Sequence, residues 1–464
     1  MPTSRNSMCH YDSSSKAQQP PSNDLSTKEH TIGLAFYLGP SVAKRQSPDG
    51  LLTSHLFATL EKLNLEIEGV LDGYLRSIHE WIPIIHPVSL KEQVPLLQSR
   101  PSAELACLLL HILLITPSFP SASGQHHETL LPSLYDDCKS SFLLLQTYSR
   151  RHIKTVQSGL LLAIYEQGQG LVSDAYATLA ICASLGYIAN LHRSPCSATA
   201  ADEERLRVWW AICFLDRLDF YANGKSERAF LVHNSHTGRA LPREDEEWSS
   251  RHDFGDAPLP LLSFPVDEAQ SYGLFASEMQ ALHALQSVMQ LTRNPSVQLE
   301  TLLDHESWKL DMLVQRKIRE TLTRSWKRLE HQYTVVTTYL LALIELHEKR
   351  LTCAGGEEIP FFAKESSIAA LESAINIAQD LLRVEKDADI LELNRMPLTA
   401  VVLFNRVGLT AILLGKHHGR DTEDLLREVI QTLSDKVAGR WNVAIHIASQ
   451  LREALPQSQD MAIA

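Results

Sequence analysis

Residues 208–215 read Val-Trp-Trp-Ala-Ile-Cys-Phe-Leu, eight apolar residues without interruption. On a helix of about 3.6 residues per turn, such a run turns apolar side chains in every direction and leaves no face for water. Other elements have to enclose it, so the stretch predicts a buried central helix over 199–221. Thr199-Ala-Ala-Asp202 reads as its capping-box start, and Asp202, Glu203 and Glu204 suit the positive end of the helix dipole. Glu203 and Arg207 stand in the favoured acid-before-base order for an i, i+4 pair. Asp216 and Arg217 then place opposite charges directly after the apolar run. Neighbours on a helix point about 100° apart, so each calls for a partner from another segment. Two readings stand for this pair: a charge lock between the helix and its neighbours, or charges lining a ligand cleft. Trp209 and Trp210 read as core anchors whose indole N–H groups need nearby acceptors.

The remaining chain repeats the helical period. Residues 51–80 carry Leu56, Leu60, Leu63, Ile67, Leu71, Leu75 and Ile78 at three- and four-residue spacings, until Pro83 and Pro87 stop the pattern. Further helices are expected near 102–116, 129–149, 152–167, 171–191, 268–292, 306–352, 365–385, 396–416 and 421–454. No useful strand alternation and no fixed-period repeat occurs. The fold class is therefore all-α. Residues 1–50 read as a polar tail, its first thirty too poor in apolar side chains to fold. Residues 51–464 read as one all-α regulatory domain, with a charged, proline-bearing loop over 223–267 and a helical C-terminal half over 268–455.

Arg205-x-x-x-Trp209-Trp210 followed by Leu215-Asp216-Arg217 resembles the signature helix in the middle homology region of fungal zinc-cluster (Zn2Cys6) transcription factors. The neighbouring segments are similar as well. A helix of small residues, with Ala175, Ala177, Ala180, Ala183, Ser184 and Gly186, leads to Leu191-His192-Arg193. Trp81-Ile-Pro-Ile-Ile-His86 resembles the family's entry segment, and Leu241-Pro242 through Trp248 its acidic segment. Four matches in order cover roughly residues 70–250. The resemblance implies a multi-helix regulatory domain of the fungal transcription factor type. Trp81, His86, Leu191, His192, Arg193, Arg205, Trp209, Trp210, Asp216, Arg217, Pro242 and Trp248 would be its structural signature.

The zinc module of that family needs six cysteines in two close-spaced sets. Here Cys9, Cys107, Cys138, Cys182, Cys196, Cys213 and Cys353 are scattered and form no Cys-x2-Cys. They read as buried thiols of a reducing compartment. The net charge of −12 is the wrong sign for unaided binding along a phosphate backbone. Loss of the zinc module and a truncated gene model would leave the same sequence. His79-Glu80 with His86, His126-His127-Glu128, His233 with His236, and His417-His418 lack the spacing for a metal site. Gly168-Gln-Gly170 reads as a turn between helices rather than a phosphate cradle, and no nucleophile motif occurs. No uninterrupted apolar run reaches the ~18–20 residues of a membrane span.

The expectations are accordingly no enzyme, no cofactor, no metal and no membrane. The chain reads as a nuclear transcriptional regulator or co-regulator, shuttling with the cytoplasm or not, serving a secondary-metabolite or catabolic gene set. Its expected partners are a DNA-bound transcription factor or a second copy of itself, together with a small-molecule effector. A helical enzyme or ligand-binding protein on the same scaffold is the alternative. A cleft with convergent, perturbed carboxylates or histidines would favour ligand chemistry, and a dry apolar groove on the outer surface would favour a protein partner. For the latter, loop 223–267 and the stretch 306–352 are the candidate surfaces.

Overall fold

The computed structural model describes residues 47–116, 126–193, 199–222, 228–233, 239–254, 259–262, 272–293, 298–325, 329–352, 359–387 and 393–455. The polar tail, as far as residue 46, lies outside them. In chain order the helices are α1 (Pro48–Leu63), α2 (Ile67–Leu75), α3 (Ile78–Trp81), α4 (Pro87–Gln93), α5 (Ala103–Ile115) and α6 (His126–Tyr148). Then come α7 (Ile153–Gly168), α8 (Val172–Ile188), α9 (Ala200–Ala222), α10 (Asp245–Ser250), α11 (Leu274–Thr292) and α12 (Leu299–Leu302). The last are α13 (His305–Ser325), α14 (Leu329–Thr352), α15 (Phe361–Asp387), α16 (Leu398–His418), α17 (Glu423–Asp435) and α18 (Val443–Ala454). Among the described residues, extended pairing is confined to two isolated bridges, Thr199 with Asp253 and Ala240 with Leu261. The fold is all-α.

The central helix is α9. Every residue from Leu206 to Asp219 is buried, as an apolar run without a polar face requires. Helices α7 and α8 pack on one side of it, α11 and α16 on another. Close approach by α8 depends on Gly186, where a Cβ would meet Ile212 at 2.9 Å and Trp209 at 3.2 Å. At the start of α9 the Thr199 hydroxyl accepts from the Asp202 amide (3.2 Å) and donates to its carboxylate (2.8 Å). Helix α5 is a second element without a wet side, buried from Leu105 through Ile115. One continuous apolar core runs from Leu52 to Leu451.

Three expected helices divide. The stretch 51–80 is α1, α2 and α3, because Asn64 takes a left-handed conformation (φ 52°) and caps α1. Asparagine is among the few residues that enter that region without large strain. The stretch 421–454 is α17 and α18, separated by a short 3-10 turn over Val437–Gly439. The stretch 306–352 is a hairpin of α13 and α14, not one long helix. Asp311 on α13 bonds Arg350 (2.5 Å) and His347 (3.2 Å) on α14, so the two run antiparallel. That hairpin buries Leu313, Ile318 and Tyr333 of the stretch that was expected to offer a partner surface.

Helix α16 is apolar over most of its length, although Asn405 and Arg406 interrupt the run. With 21 residues and a mean hydropathy of 1.8 over its most apolar window, it is long and apolar enough to cross a membrane. It packs instead against α14, α15, α17 and α18, with 67% of that window buried within the protein.

Candidate functional site

The signature residues gather where the segments after α9 lie back on it. Arg207, fully buried, bonds Glu203 through Nε (2.9 Å), Asp245 through Nη1 (2.6 Å) and the Arg243 carbonyl through Nη2 (2.9 Å). Its guanidinium lies 4.1 Å from the centre of the Trp248 ring. The Arg243 amide donates to Glu203 (2.8 Å), and the Asp245 carboxylate accepts from the Phe275 amide (3.1 Å) at the start of α11. One arginine thus ties together α9, α10 and α11, and each of its bonds is charge-assisted or made to a buried carbonyl.

Further along α9, Asp216 and Arg217 pair directly with each other. The sequence reading, which asked for partners only from elsewhere, is corrected to that extent. The partners from elsewhere are present too. The Leu231 and Val232 amides donate to Asp216 (3.1 Å each), and Arg217 donates to the Val232 carbonyl (2.8 Å) while lying 4.1 Å over Phe230. Burial pushes the Asp216 carboxyl above its usual range, against the pull of Arg217 and those two amides. The pair holds residues 230–232 as a strap across the helix.

The other signature residues serve the same docking. Trp210 donates to the Ala240 carbonyl (2.9 Å). Trp209 has no acceptor for its indole N–H and lies instead among Tyr187, His192 and the Arg239 guanidinium. Arg239 bonds the His192 carbonyl (2.7 Å), and Arg205 bonds the Ala189 carbonyl (2.6 Å). Leu191, Pro242 and Trp248 are buried, whereas Arg193 is exposed. His86 caps α4, its Nδ1 accepting from the Ser89 amide (3.2 Å), so Nε2 carries the proton that reaches the Trp248 carbonyl (2.9 Å). Glu204 accepts from the His86 amide and from Gln157 (2.9 Å each). Trp81 is buried in the core beside this junction. His79 stacks on Trp248, and burial lowers its imidazole to about 3, keeping it neutral.

These groups spend their donors and acceptors on one another. Burial raises the Cys107 thiol to about 11 and the Cys213 thiol to about 12, which makes poor nucleophiles of both. Among the described residues no three His, Cys, Asp or Glu side chains gather around a common point for a metal. His126, His127, Glu128 and His236 lie outside the residues whose side chains are described. The turn at Gly168-Gln-Gly170 joins α7 to α8, with Gly170 at φ +81°.

A cleft of about 940 Å³ opens elsewhere, at the C-terminal end of α9. Phe220 and Tyr221 of α9 reach it, as do Arg293 after α11, Glu345, Glu348 and Lys349 of α14, Arg406 of α16, and Ile447 of α18. Glu345 accepts from Thr292 (3.0 Å) and Arg293 (3.3 Å), and its second oxygen lies 3.5 Å from Arg406. Glu348 pairs directly with Arg406 and accepts from Thr410 (2.5 Å). Burial raises the Glu348 carboxyl and the Tyr221 phenol from their ordinary values. The Tyr221 hydroxyl donates to the Leu341 carbonyl (3.2 Å). The arrangement is an apolar-walled pocket with a charged floor, and both carboxylates are already engaged by cations and hydroxyls. That suits holding a ligand better than acid–base chemistry, which needs a carboxyl free to exchange its proton.

None of these cleft residues had been singled out from the sequence, because five separate helices or helix ends supply them and no local motif links them. Arg207 had been read only as the partner of Glu203. Its place against the apolar run was the available sign that the pair is buried.

Residues 71–319 match the family described as "Fungal specific transcription factor domain". The chain is also 27% identical over 164 residues to "Transcription factor BOA15" of Botryotinia fuckeliana (strain B05.10), covering 34% of this chain and 86% of that protein. No solved structure matches.

Proposed function

Because the chain belongs to the fungal specific transcription factor domain family, we propose that it is a ligand-responsive transcriptional regulator that reaches promoters through a DNA-bound partner. That it regulates transcription follows from the family and the relative. The finer reading rests on one observation: the signature charges are consumed in strapping the loop to α9, while the cleft beyond them offers room for a small molecule. Its volume of about 940 Å³ lies within the range of drug-sized sites. Convergent carboxylates are present, that of Glu348 raised by burial, and their saturation by Arg293, Arg406, Thr292 and Thr410 favours binding over catalysis.

Action through a partner, either a DNA-bound factor or a second copy, is supported by the net charge of −12, the wrong sign for unaided binding along a phosphate backbone. A nuclear site of action and a secondary-metabolite or catabolic gene set accord with the family and remain parts of this proposal. The test is chromatin pull-down in the host. Promoter occupancy is expected only while a zinc-cluster factor is also present, and reporter output should respond to Leu409→Trp at the cleft mouth. Occupancy that survives deletion of every candidate partner, or output indifferent to the blocked cleft, overturns the reading.

A further inference from the structure

We propose that the cleft takes an organic acid with an apolar body, its carboxylate drawn to Lys349 and Arg406 and its hydrocarbon part lying between α16 and α18. This rests on the ligand-responsive reading above and adds the chemistry of the ligand.

Charge is the first observation. Three cations, Arg293, Lys349 and Arg406, face two carboxylates, Glu345 and Glu348. The carboxylates have little left to offer, since Glu345 already meets Thr292, Arg293 and Arg406, and Glu348 meets Arg406 and Thr410. The cations have more. Lys349 is half-buried, and among the described residues no carboxylate stands within ion-pair distance of its ammonium. The Arg406 side chain, 21% exposed, lines the same cleft. Donors in excess, in a site partly shielded from water, favour an anionic acceptor, and a cationic ligand would be repelled by the same groups.

Shape is the second. The walls opposite the charged floor are Val401, Val402 and Leu409 from α16 and Ile447 and Leu451 from α18. Leu409 is 42% exposed, so it marks the mouth, while Leu451 at 1% lies at the base. A compact polyanion would leave this apolar surface wet. An acid carrying a hydrocarbon or ring system covers it, and each buried methylene adds roughly 0.8 kcal/mol. The bound acid would tie α14 to α16 and α18, adding to the Glu348–Arg406 pair that joins α14 to α16 across the cleft floor. Stabilising that junction is how occupancy could bias the surface shown to a partner.

The experiment titrates the full chain calorimetrically with dodecanoate, dodecan-1-ol and dodecylamine, each below its aggregation concentration. Dodecanoate is expected to bind saturably at one per chain and to raise Tm, with the alcohol and the amine at least tenfold weaker. Lys349→Met should weaken dodecanoate at least tenfold with the unliganded melting curve unchanged, Lys349→Arg should restore most of it, and Leu409→Trp should block it. Equal binding of the alcohol or amine, no saturable dodecanoate binding, or binding undiminished in Lys349→Met and Leu409→Trp overturns the assignment. A reporter in the host separates the two readings. Output altered by Leu409→Trp with no dodecanoate binding rejects the acid and keeps ligand-responsive regulation. Dodecanoate binding with output indifferent to Leu409→Trp does the reverse.

Discussion

The Arg207 guanidinium lies 4.1 Å from the centre of the Trp248 ring, and both side chains are fully buried. This contact carries the chain from the central helix to the acidic segment after it. A planar cation on an indole face is stabilised by the ring quadrupole, and more strongly where water is excluded. Glu203 and Asp245 supply the counter-charge in the plane of the guanidinium.

Arg207→Ala would strand Glu203, which is 2% exposed and loses its only cation among the described residues. The expected loss is roughly 3–5 kcal/mol in chemical unfolding, and Trp248→Ala should cost a similar amount through the cavity it leaves. Arg207→Lys should recover only part, because an ammonium cannot bond Glu203, Asp245 and the Arg243 carbonyl from one plane. A melting curve for Arg207→Ala that overlays the parent would show that the network contributes specificity without stability.

A separate readout addresses Asp216. In Asp216→Asn the side chain keeps its shape, but Arg217 loses the charge that Asp216 supplies to it, at a cost of about 3 kcal/mol. Hydrogen exchange locates the effect. The Leu231 and Val232 amides, which donate to this carboxylate, should lose protection before the amides of α9 do. Unchanged exchange at both amides, together with lost promoter activity, would assign the pair to function rather than to the strap.

How far the sequence disclosed this arrangement depended on range. The all-α class and the position of α9 followed from periodicity and from an apolar run that other elements have to enclose. The division of 306–352 did not, because α13 and α14 each continue the same helical period and meet through contacts distant in sequence, such as Asp311 with Arg350. The signature residues could be found from their pattern, since many lie on or beside one helix. Their partners could not, because the Ala240 and Val232 carbonyls and the Leu231 amide are backbone groups that no residue type announces. The cleft was illegible for the same reason at larger scale: Arg293, Glu345, Glu348 and Arg406 meet only once α9, α11, α14 and α16 have packed.

Glu278 on α11 provides a pH test away from both sites. It is 1% exposed, accepts from the Thr338 hydroxyl (2.7 Å) and has no ion-pair partner among the described residues. Burial pushes its carboxyl up from 4.5 to about 7. The folded state therefore binds the proton more tightly than the unfolded chain. Stability from this group is fully present below pH 4.5, declines as pH rises, and is lost above about pH 7. The loss is on the order of 3 kcal/mol across that window. Glu278→Gln should abolish this slope and leave the variant the more stable protein at pH 8. Parallel pH–stability profiles for the two proteins would show that Glu278 stays ionised when folded.

The last prediction concerns the floor of the cleft. Glu348 and Arg406 are joined directly, at 13% and 21% side-chain exposure, and link α14 to α16. Removing either partner leaves the other poorly solvated, so Glu348→Gln and Arg406→Met should each cost on the order of 3 kcal/mol. Removing both leaves no stranded charge at this pair, although among the described residues Glu345 then keeps only Arg293 as its cation. The double variant should therefore cost less than the sum of the single ones, with a coupling of roughly 1–3 kcal/mol from a double-mutant cycle in urea. Dodecanoate offers a second axis. Arg406→Met should weaken its binding, whereas Glu348→Gln, which removes a competing carboxylate and frees the guanidinium, should strengthen it. Weaker binding in both would mean that the pair shapes the cleft as a unit, and that the acid is held by Lys349 without help from Arg406.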